Sequence, residues 1–183
     1  MTWRRRREAA VAGPTTRIRR RVAGVASVVG ALALLSGCGA ELRPLAAVYL
    51  DGSSAPRALL RPCGDDLVQG LGLTGVPDTA DSGSDSVRNR SGWKVSGKRH
   101  GSDADFPLFS PPRQWHSRAA GEQRLVKAYT YELAFGKAEY NYEYTGTVTF
   151  RPADLNRLKP GQVWADDRAM SLGEFERLAE DSC

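Results

Sequence analysis

Two histidines and two pairs of adjacent aspartates are the residues whose types could support acid–base chemistry. His100 and His116 stand in polar, loop-like surroundings, and Asp65-Asp66 and Asp166-Asp167 flank predicted turns. Paired carboxylates can hydrolyse glycosidic bonds when about 5–10 Å separates them in a cleft. Acids at turns are far more often surface residues, so these pairs do not predict catalysis.

Sequence motifs that build zinc or nucleophile sites do not occur in the chain. It has no H-E-x-x-H or C-x-x-C pattern, and two distant cysteines with two unrelated histidines are too few zinc ligands. The G-x-S-x-G motif of serine hydrolases is also missing. We therefore expect no metal and no cofactor, and the catalytic residues of any enzyme stay unknown.

Five tyrosines between positions 129 and 144 form the most unusual group. They occupy alternate positions of two period-2 runs, which predicts that they lie on paired strands. One interpretation is an exposed aromatic face that binds a glycan, a peptide or an apolar ligand. The favoured alternative is a structural aromatic ladder, because one face of a sheet must be core. The candidate ligand-facing residues are Tyr129, Tyr131, Tyr140, Tyr142 and Tyr144.

The amino-terminal residues have the pattern of a secretory signal peptide. Residues 1–21 are rich in arginine, residues 22–35 are apolar or small, and two small residues precede Cys38. This is the order of segments in a cleaved signal, and the apolar segment is shorter than the roughly 20 residues that span a bilayer. We predict a signal peptide over residues 1–37, with the Sec and twin-arginine routes both open.

The four residues Leu35-Ser36-Gly37-Cys38 resemble the lipobox of bacterial lipoproteins. The resemblance implies that Cys38 carries acyl chains such as palmitate and becomes the new amino terminus. It also implies that the protein is anchored at the extracytoplasmic face of the cell membrane, with residues 38–44 as a lipidated tether. Arginine outnumbers lysine by 21 to 5, which suggests a GC-rich genome and makes the chain similar to actinobacterial lipoproteins without a defined activity.

The positive charge of the chain is concentrated in the predicted signal. Residues 1–37 contain eight arginines and one glutamate, a net charge of +7, whereas the whole chain carries +5. The remaining residues 38–183 therefore carry −2. Nucleic-acid binding needs a basic surface on the folded domain, so we expect no nucleic-acid partner.

The cysteine count agrees with export. Lipidation would use Cys38, and Cys63 and Cys183 would remain. In an oxidising compartment the two are expected to form a disulfide, although two free buried thiols are the alternative. The disulfide would connect the carboxyl terminus to the beginning of the domain.

Residues 45–183 are predicted to form one β-rich domain. Apolar runs over 45–50 and 57–61 around a polar turn predict a hairpin, and the runs between 124 and 150 predict paired antiparallel strands. Residues 65–75 give no clear signal: their leucines fit a short helix, but three glycines weaken that interpretation. A polar tract predicts a flexible loop at about 77–92.

The carboxyl-terminal region carries a helix signal. Ser171 and Glu174 have the spacing of a capping box, and Leu172, Phe175, Leu178 and Ala179 fall on one face of a helix over 171–181. The fold prediction is α+β, mainly β, with two antiparallel layers and this helix. The pattern L-x-x-L-x-P-G-x-V at 155–163 resembles the turn into a late strand of immunoglobulin-like sandwiches, which makes that sandwich one candidate arrangement.

Two functions of different classes fit these observations. The first is a non-enzymatic binding or interaction module, with a cell-envelope protein or glycan as partner. The second is a small cell-envelope hydrolase whose site forms only in the fold. A histidine within hydrogen-bond reach of a carboxylate in a cleft would favour the hydrolase.

Overall fold

A computed structural model describes residues 40–78, 90–137 and 143–183. The predicted signal peptide over 1–37, Cys38, Tyr140 and Tyr142 lie outside these residues, as does most of the predicted loop at about 77–92. In the described residues, two mainly antiparallel sheets are followed by a carboxyl-terminal helix. The prediction of a mainly β fold with two antiparallel layers and a final helix is confirmed.

The described residues form twelve strands and two α-helices. In chain order these are β1 (Glu41–Arg43), β2 (Ala46–Leu50), β3 (Pro56–Leu60), β4 (Leu67–Pro77), β5 (Ser91–Val95), β6 (Arg99–His100), β7 (Ala104–Pro107), β8 (Ser117–Ala119), β9 (Tyr129–Lys137), β10 (Tyr144–Phe150), α1 (Pro152–Leu155), β11 (Gln162–Ala165), β12 (Arg168–Ser171) and α2 (Leu172–Asp181).

The strands divide between two sheets. The larger has the order β1-β10-β9-β4-β5-β8, with β6 paired to β4, and the smaller has the order β12-β11-β2-β3-β7. Strand β1 pairs in parallel with β10, and the other strand pairings are antiparallel. The predicted β2–β3 hairpin and the predicted β9–β10 pair are both present.

One apolar core lies between the sheets, an arrangement consistent with a β-sandwich. Alternate residues of β9 and β10 point into it, as period-2 patterning requires. The ring of Tyr131 stacks on that of Phe150 with 5.5 Å between centroids. Trp93 is buried and donates its indole N–H to the carbonyl oxygen of Leu108 at 2.7 Å, so its one polar atom is satisfied inside the core.

Strand β4 settles the ambiguity over residues 65–75, which are strand from Leu67 onward. Its glycines weaken a helix but serve the sheet. Gly70 has φ +68° where the register against β9 shifts, a backbone conformation that glycine adopts without strain at a bulge. Gly75 lies opposite Tyr131, and a Cβ there would overlap the Tyr131 ring. The tyrosine therefore uses the space that the glycine leaves.

Strand β1 changes the predicted domain boundary. Residues 41–43 were expected in the tether over 38–44, but they form a strand in the larger sheet. Their register pairs Glu41 with Tyr144 and Arg43 with Gly146. The tether prediction did not anticipate this pairing, because three residues with one apolar side chain give no strand signal without their partner strand. The folded domain begins three residues after Cys38.

The register of the strands defines two ends of the sandwich. Strand β2 runs in the same direction as β1 and β10. Leu45, just before β2, lies against Gly146 near the beginning of β10. Trp164 pairs with Val48 of β2 and donates its indole N–H to the carbonyl oxygen of Thr149, which is further along β10. We call the end that holds Glu41, Tyr144 and Cys63 the β1 end. The opposite end, at the turn over residues 51–55, is the hairpin end.

Helix α2 covers the outer face of the smaller sheet. The predicted capping box is present: Ser171 Oγ accepts a hydrogen bond from the Glu174 N–H, and Glu174 accepts one from the Ser171 N–H. Phe175 and Ala179 are buried, Leu178 packs against the core, and Leu172 is 44% exposed. The helix runs from the hairpin end, where Leu172 lies beside the β2–β3 turn, to the β1 end.

Two contacts hold α2 on the sheet. Arg61, just after β3, forms a bidentate ion pair with Glu176, with nitrogen–oxygen distances of 2.6 and 2.7 Å. Cys183, just after the helix, is bonded to Cys63 with 5.3 Å between Cα atoms. The pairing that the sequence predicts is therefore present in the structure.

Removing the disulfide should strongly destabilise the domain. The bond connects residues 120 positions apart, and closing a loop of that size is worth about 4–5 kcal/mol in the chain-entropy model. We expect the double variant Cys63→Ser/Cys183→Ser to lose stability of that order in urea unfolding of the full chain. Reduced wild-type protein should match the variant, and a variant as stable as oxidised wild type would contradict the prediction.

Candidate functional site

The five candidate tyrosines do not form one ligand-facing surface. Tyr131 is fully buried, and its hydroxyl accepts a hydrogen bond from the Val126 N–H at 2.7 Å and lies 3.1 Å from the Arg124 carbonyl oxygen. It also contacts the buried hydroxyl of Ser91 at 3.2 Å. These bonds fasten the chain before β9 to the core. The ligand-facing interpretation is therefore wrong for Tyr131, and the structural one holds.

Tyr144 is also a core residue, at the β1 end. It is 2% exposed, and Arg43 lies over its ring at 4.8 Å from the centroid. Its hydroxyl donates to a carboxylate oxygen of Asp66 at 3.2 Å and accepts from the Cys63 N–H at 3.4 Å. Burial is the main reason that the pKa of Tyr144 is raised above its ordinary value. Tyr144 connects β10 to the chain around the disulfide and is not available to a ligand.

Among the five candidate tyrosines, Tyr129 is the one in the described residues that keeps a surface position. It is half-buried at the hairpin end, with 6.2 Å between its ring centroid and that of Tyr131. It lines an open, polar depression of about 550 Å³, which we call the Arg124 depression. Arg124 pairs there with Glu122 at 2.9 Å. The remaining lining residues are Arg90, Gly121, Gln123 and Val126.

A second depression at the hairpin end is mainly apolar and measures about 310 Å³. Its floor is formed by the buried side chains of Leu59 and Val163, and Leu50 and the exposed Leu172 form its walls. We call it the Leu172 depression. It opens between the β2–β3 turn and the beginning of α2, where the helix leaves the outer face of the smaller sheet uncovered. Its other lining residues are Tyr49, Asp51, Gly52, Asp105, Gly161 and Gln162.

Tyr49 and Asp105 line one side of this depression, and Arg57, on the strand between theirs, bonds to both. The Tyr49 hydroxyl donates to Asp105 at 2.9 Å and accepts from Arg57 Nε at 2.9 Å. Arg57 also pairs with Asp105 at 2.8 Å. Cross-strand pairing of Tyr49 with Arg57 in the hairpin places the side chains side by side. Partial burial, followed by the hydrogen bond to Asp105, raises the pKa of Tyr49.

The histidines and the paired acids lie apart from both depressions. His100 Nδ1 is 3.4 Å from the backbone carbonyl oxygen of Asp65, and the exposed His116 ends a short 3-10 helix with φ +48°. Asp66 accepts from Tyr144 and lies 3.4 Å from Lys137. These contacts do not bring a histidine to a carboxylate. A histidine–carboxylate pair is the feature that would favour a hydrolase.

The acids at 166 and 167 form the turn between β11 and β12. Both have positive φ, +49° for Asp166 and +54° for Asp167, the values that a two-residue hairpin turn of type I′ requires. Aspartate tolerates this conformation better than most residues. Their adjacency in sequence therefore has a structural explanation.

Three further observations concern metal ions, membranes and nucleotides. Across the described ranges, His, Cys, Asp and Glu form no group of three that could hold a metal ion, and no helix there is long and apolar enough to cross a membrane. Glycines 70, 72 and 75 have the spacing of a dinucleotide-binding loop. That loop joins a strand to a helix, whereas these glycines lie inside β4.

Comparison with protein-family models, with curated proteins and with solved structures found no match for this chain. The immunoglobulin-like arrangement and the relation to actinobacterial lipoproteins stay predictions.

Sequence reasoning missed the residues of the Leu172 depression. Tyr49 is the one side chain with a polar tip in the run Leu45–Leu50, and Arg57 follows the turn. Once a hairpin is predicted, aligning these two residues could have found the pair. Asp105 could not have been added, because β7 joins the hairpin from 48 residues beyond Arg57.

Partial burial and the network of hydrogen bonds among Tyr49, Arg57 and Asp105 should delay ionisation of the Tyr49 hydroxyl. Burial, followed by the hydrogen bond to Asp105, raises the folded-state pKa above the ordinary 10.0. The stability that the neutral hydroxyl contributes is therefore fully present below pH 10.0 and is lost as pH rises through the raised pKa. We expect the difference in tyrosinate absorbance between wild type and Tyr49→Phe to titrate above pH 10.0. Asp105→Asn should lower this midpoint only in part, since burial is the larger cause. A difference curve centred below pH 10.0 would refute the network.

Proposed function

We propose that this protein is an extracytoplasmic lipoprotein, anchored to the cell membrane through Cys38, that acts as a non-enzymatic binding module for a cell-envelope partner. The observation that carries the proposal is the lipobox-like Leu35-Ser36-Gly37-Cys38 directly before a folded domain. A short arginine-rich and apolar leader ending at this motif is typical of exported, lipidated proteins.

The position of β1 supports a defined orientation on the membrane. Glu41 is three positions after Cys38 in the sequence, and three steps of an extended chain span at most about 10 Å. Glu41 begins β1 and is fixed beside Tyr144. Lipidation at Cys38 would therefore hold the β1 end close to the bilayer and leave the hairpin end facing away from it.

The disulfide supports an oxidising compartment, because such bonds are rare in reducing cytoplasm. It joins the two cysteines that remain when Cys38 is lipidated, which accounts for the odd cysteine number. Both depressions described above lie at the hairpin end, on the side that the anchor would leave accessible. This placement supports a binding role and suits a partner beyond the membrane surface.

Cys38→Ala should abolish lipidation. In cells supplied with a palmitate analogue that can be labelled, we expect the wild-type protein to carry the label and to need detergent for extraction. The Cys38→Ala variant should carry no label and lose its stable membrane retention. Ser36→Ala keeps a small residue two positions before the cysteine and serves as the matched control, which should behave as wild type.

Intact mass distinguishes the possible results. The mature wild-type chain should begin at Cys38 and carry the added mass of its acyl chains. Unchanged label and detergent dependence in Cys38→Ala would overturn the anchoring proposal, as would a mature wild-type protein that begins elsewhere.

A further inference from the structure

The Leu172 depression exposes apolar side chains in a concave site at the hairpin end of the domain. Leu172 is one of three large apolar residues exposed in the described residues, and the other two, Leu42 and Leu67, lie toward the β1 end. Its position gives it no part in the helix cap, which Ser171 and Glu174 form by themselves. An exposed apolar side chain beside a cavity indicates a contact surface.

The size of the depression restricts its occupant. About 310 Å³ is at the small end of the range for ligand pockets. One large apolar side chain is an occupant of suitable size, and such anchors in small pockets dominate many protein interfaces.

The polar atoms around the depression already have partners inside the protein. Tyr49, Arg57 and Asp105 bond to one another, and Asp51 accepts from the N–H groups of Ser53 and Ala55 in the turn. A glycan would need to replace these bonds with its own hydroxyl groups. An apolar group leaves all of them intact, which favours it energetically.

The charge at the rim favours a cation beside the apolar group. Asp51 and Asp105 both line the depression, and the close ion pair of Arg57 is with Asp105, while its charge acts on Asp51 only from farther away. One arginine therefore faces two carboxylates at this rim. The hydrogen bonds in the turn hold the pKa of Asp51 below its ordinary value, so that its carboxylate is charged at neutral pH. Complementary charge at the edge of an apolar contact selects partners and speeds association.

We propose that the Leu172 depression binds a protein partner that inserts one large apolar side chain flanked by lysine or arginine. This inference rests on the proposed function, since it names the partner chemistry of the binding module. Apolar contact with Leu59, Val163 and Leu172 supplies affinity, and Asp51 supplies preference for the basic neighbour.

Site-specific photo-cross-linking in intact cells tests the inference on the full, lipidated chain. A benzoylphenylalanine replaces Gly52 at the rim of the depression, where a side chain meets nothing within 4 Å. Parallel chains carry it at Glu122, in the Arg124 depression, and at Leu67, near the β1 end. Mass spectrometry of the adducts identifies the partner and the residue attached to the probe.

Substitutions in the Gly52 probe chain separate binding from folding. Leu172→Asp should lower adduct yield at least tenfold, and it preserves the helix because a carboxylate in the first turn favours the dipole. Leu67→Asp, which changes a leucine of similar exposure, should leave the yield unchanged. Gln162→Lys should lower the yield several-fold by repelling a basic partner, whereas Gln162→Glu should not.

Support requires a protein adduct at Gly52 whose attached segment contains a large apolar residue beside lysine or arginine, with the expected substitution effects. An adduct with a second copy of the chain, a glycan or a lipid at this position would overturn the inference. Adducts only at Glu122 would also overturn it while leaving a binding module in place. If no position yields an adduct in chains shown to be membrane-anchored, the binding role itself fails.

Discussion

The parallel pairing of β1 with β10 is the constraint on which the orientation of the molecule depends. It is short, and its strand carries one exposed leucine, so it contributes little apolar burial. Its importance is positional. A free tether after Cys38 would let the domain rotate at any angle, whereas pairing of Glu41 with Tyr144 attaches the chain to the edge of the larger sheet. If Cys38 carries the proposed lipid, the remaining link is too short for the β1 end to move far from the membrane.

The same end of the sandwich holds a group of contacts around the disulfide. Arg43 of β1 lies over the Tyr144 ring, and its Nη1 is 4.0 Å from Cys63 Sγ. The Tyr144 hydroxyl connects this group to Asp66, and Asp66 to Lys137. A hydrogen bond to Glu143 is the main cause that raises the pKa of Lys137. Strand β1 is thus in contact with the Cys63–Cys183 disulfide, which holds the carboxyl terminus.

Helix α2 explains why the opposite end has an apolar depression. The disulfide and the Arg61–Glu176 ion pair hold the carboxyl-terminal half of the helix on the smaller sheet. Phe175 and Ala179 fill the sheet face beneath it. The helix begins only at Leu172, beside the end of β2, so Leu59 and Val163 remain as the floor of an open depression. The proposed anchored end and the proposed binding end would therefore both follow from one arrangement of the same elements.

Signals between residues close in sequence predicted most of the fold. The site could not be predicted in the same way, because it depends on contacts between residues far apart in sequence. The β2–β3 hairpin, the β9–β10 alternation and the Ser171–Glu174 cap each depend on residues close in sequence, and all three are present. Strand β1 exists only because β10 pairs with it, about a hundred residues later.

The tyrosines and the β4 glycines show the same limit. Periodicity placed Tyr129 and Tyr131 on one face but could not tell that Tyr131 is buried opposite Gly75. The glycines of β4 weakened the helical interpretation. They did not reveal the bulge at Gly70 or the space beside Gly75 that the Tyr131 ring occupies. Contacts between distant strands decided which residues are core and which are exposed.

The most direct test of the account is the distance of each end of the domain from the bilayer. A fluorophore placed at Ser53→Cys, in the β2–β3 turn, or at Leu67→Cys, near the β1 end, can be measured by energy transfer to acceptors in the membrane, with the native disulfide intact. Because α2 runs between the two ends for ten residues at about 1.5 Å each, the Ser53 probe should lie farther from the membrane, by about 15 Å when α2 is perpendicular to it. Equal distances, or a Leu67 probe that lies farther away, would contradict the account.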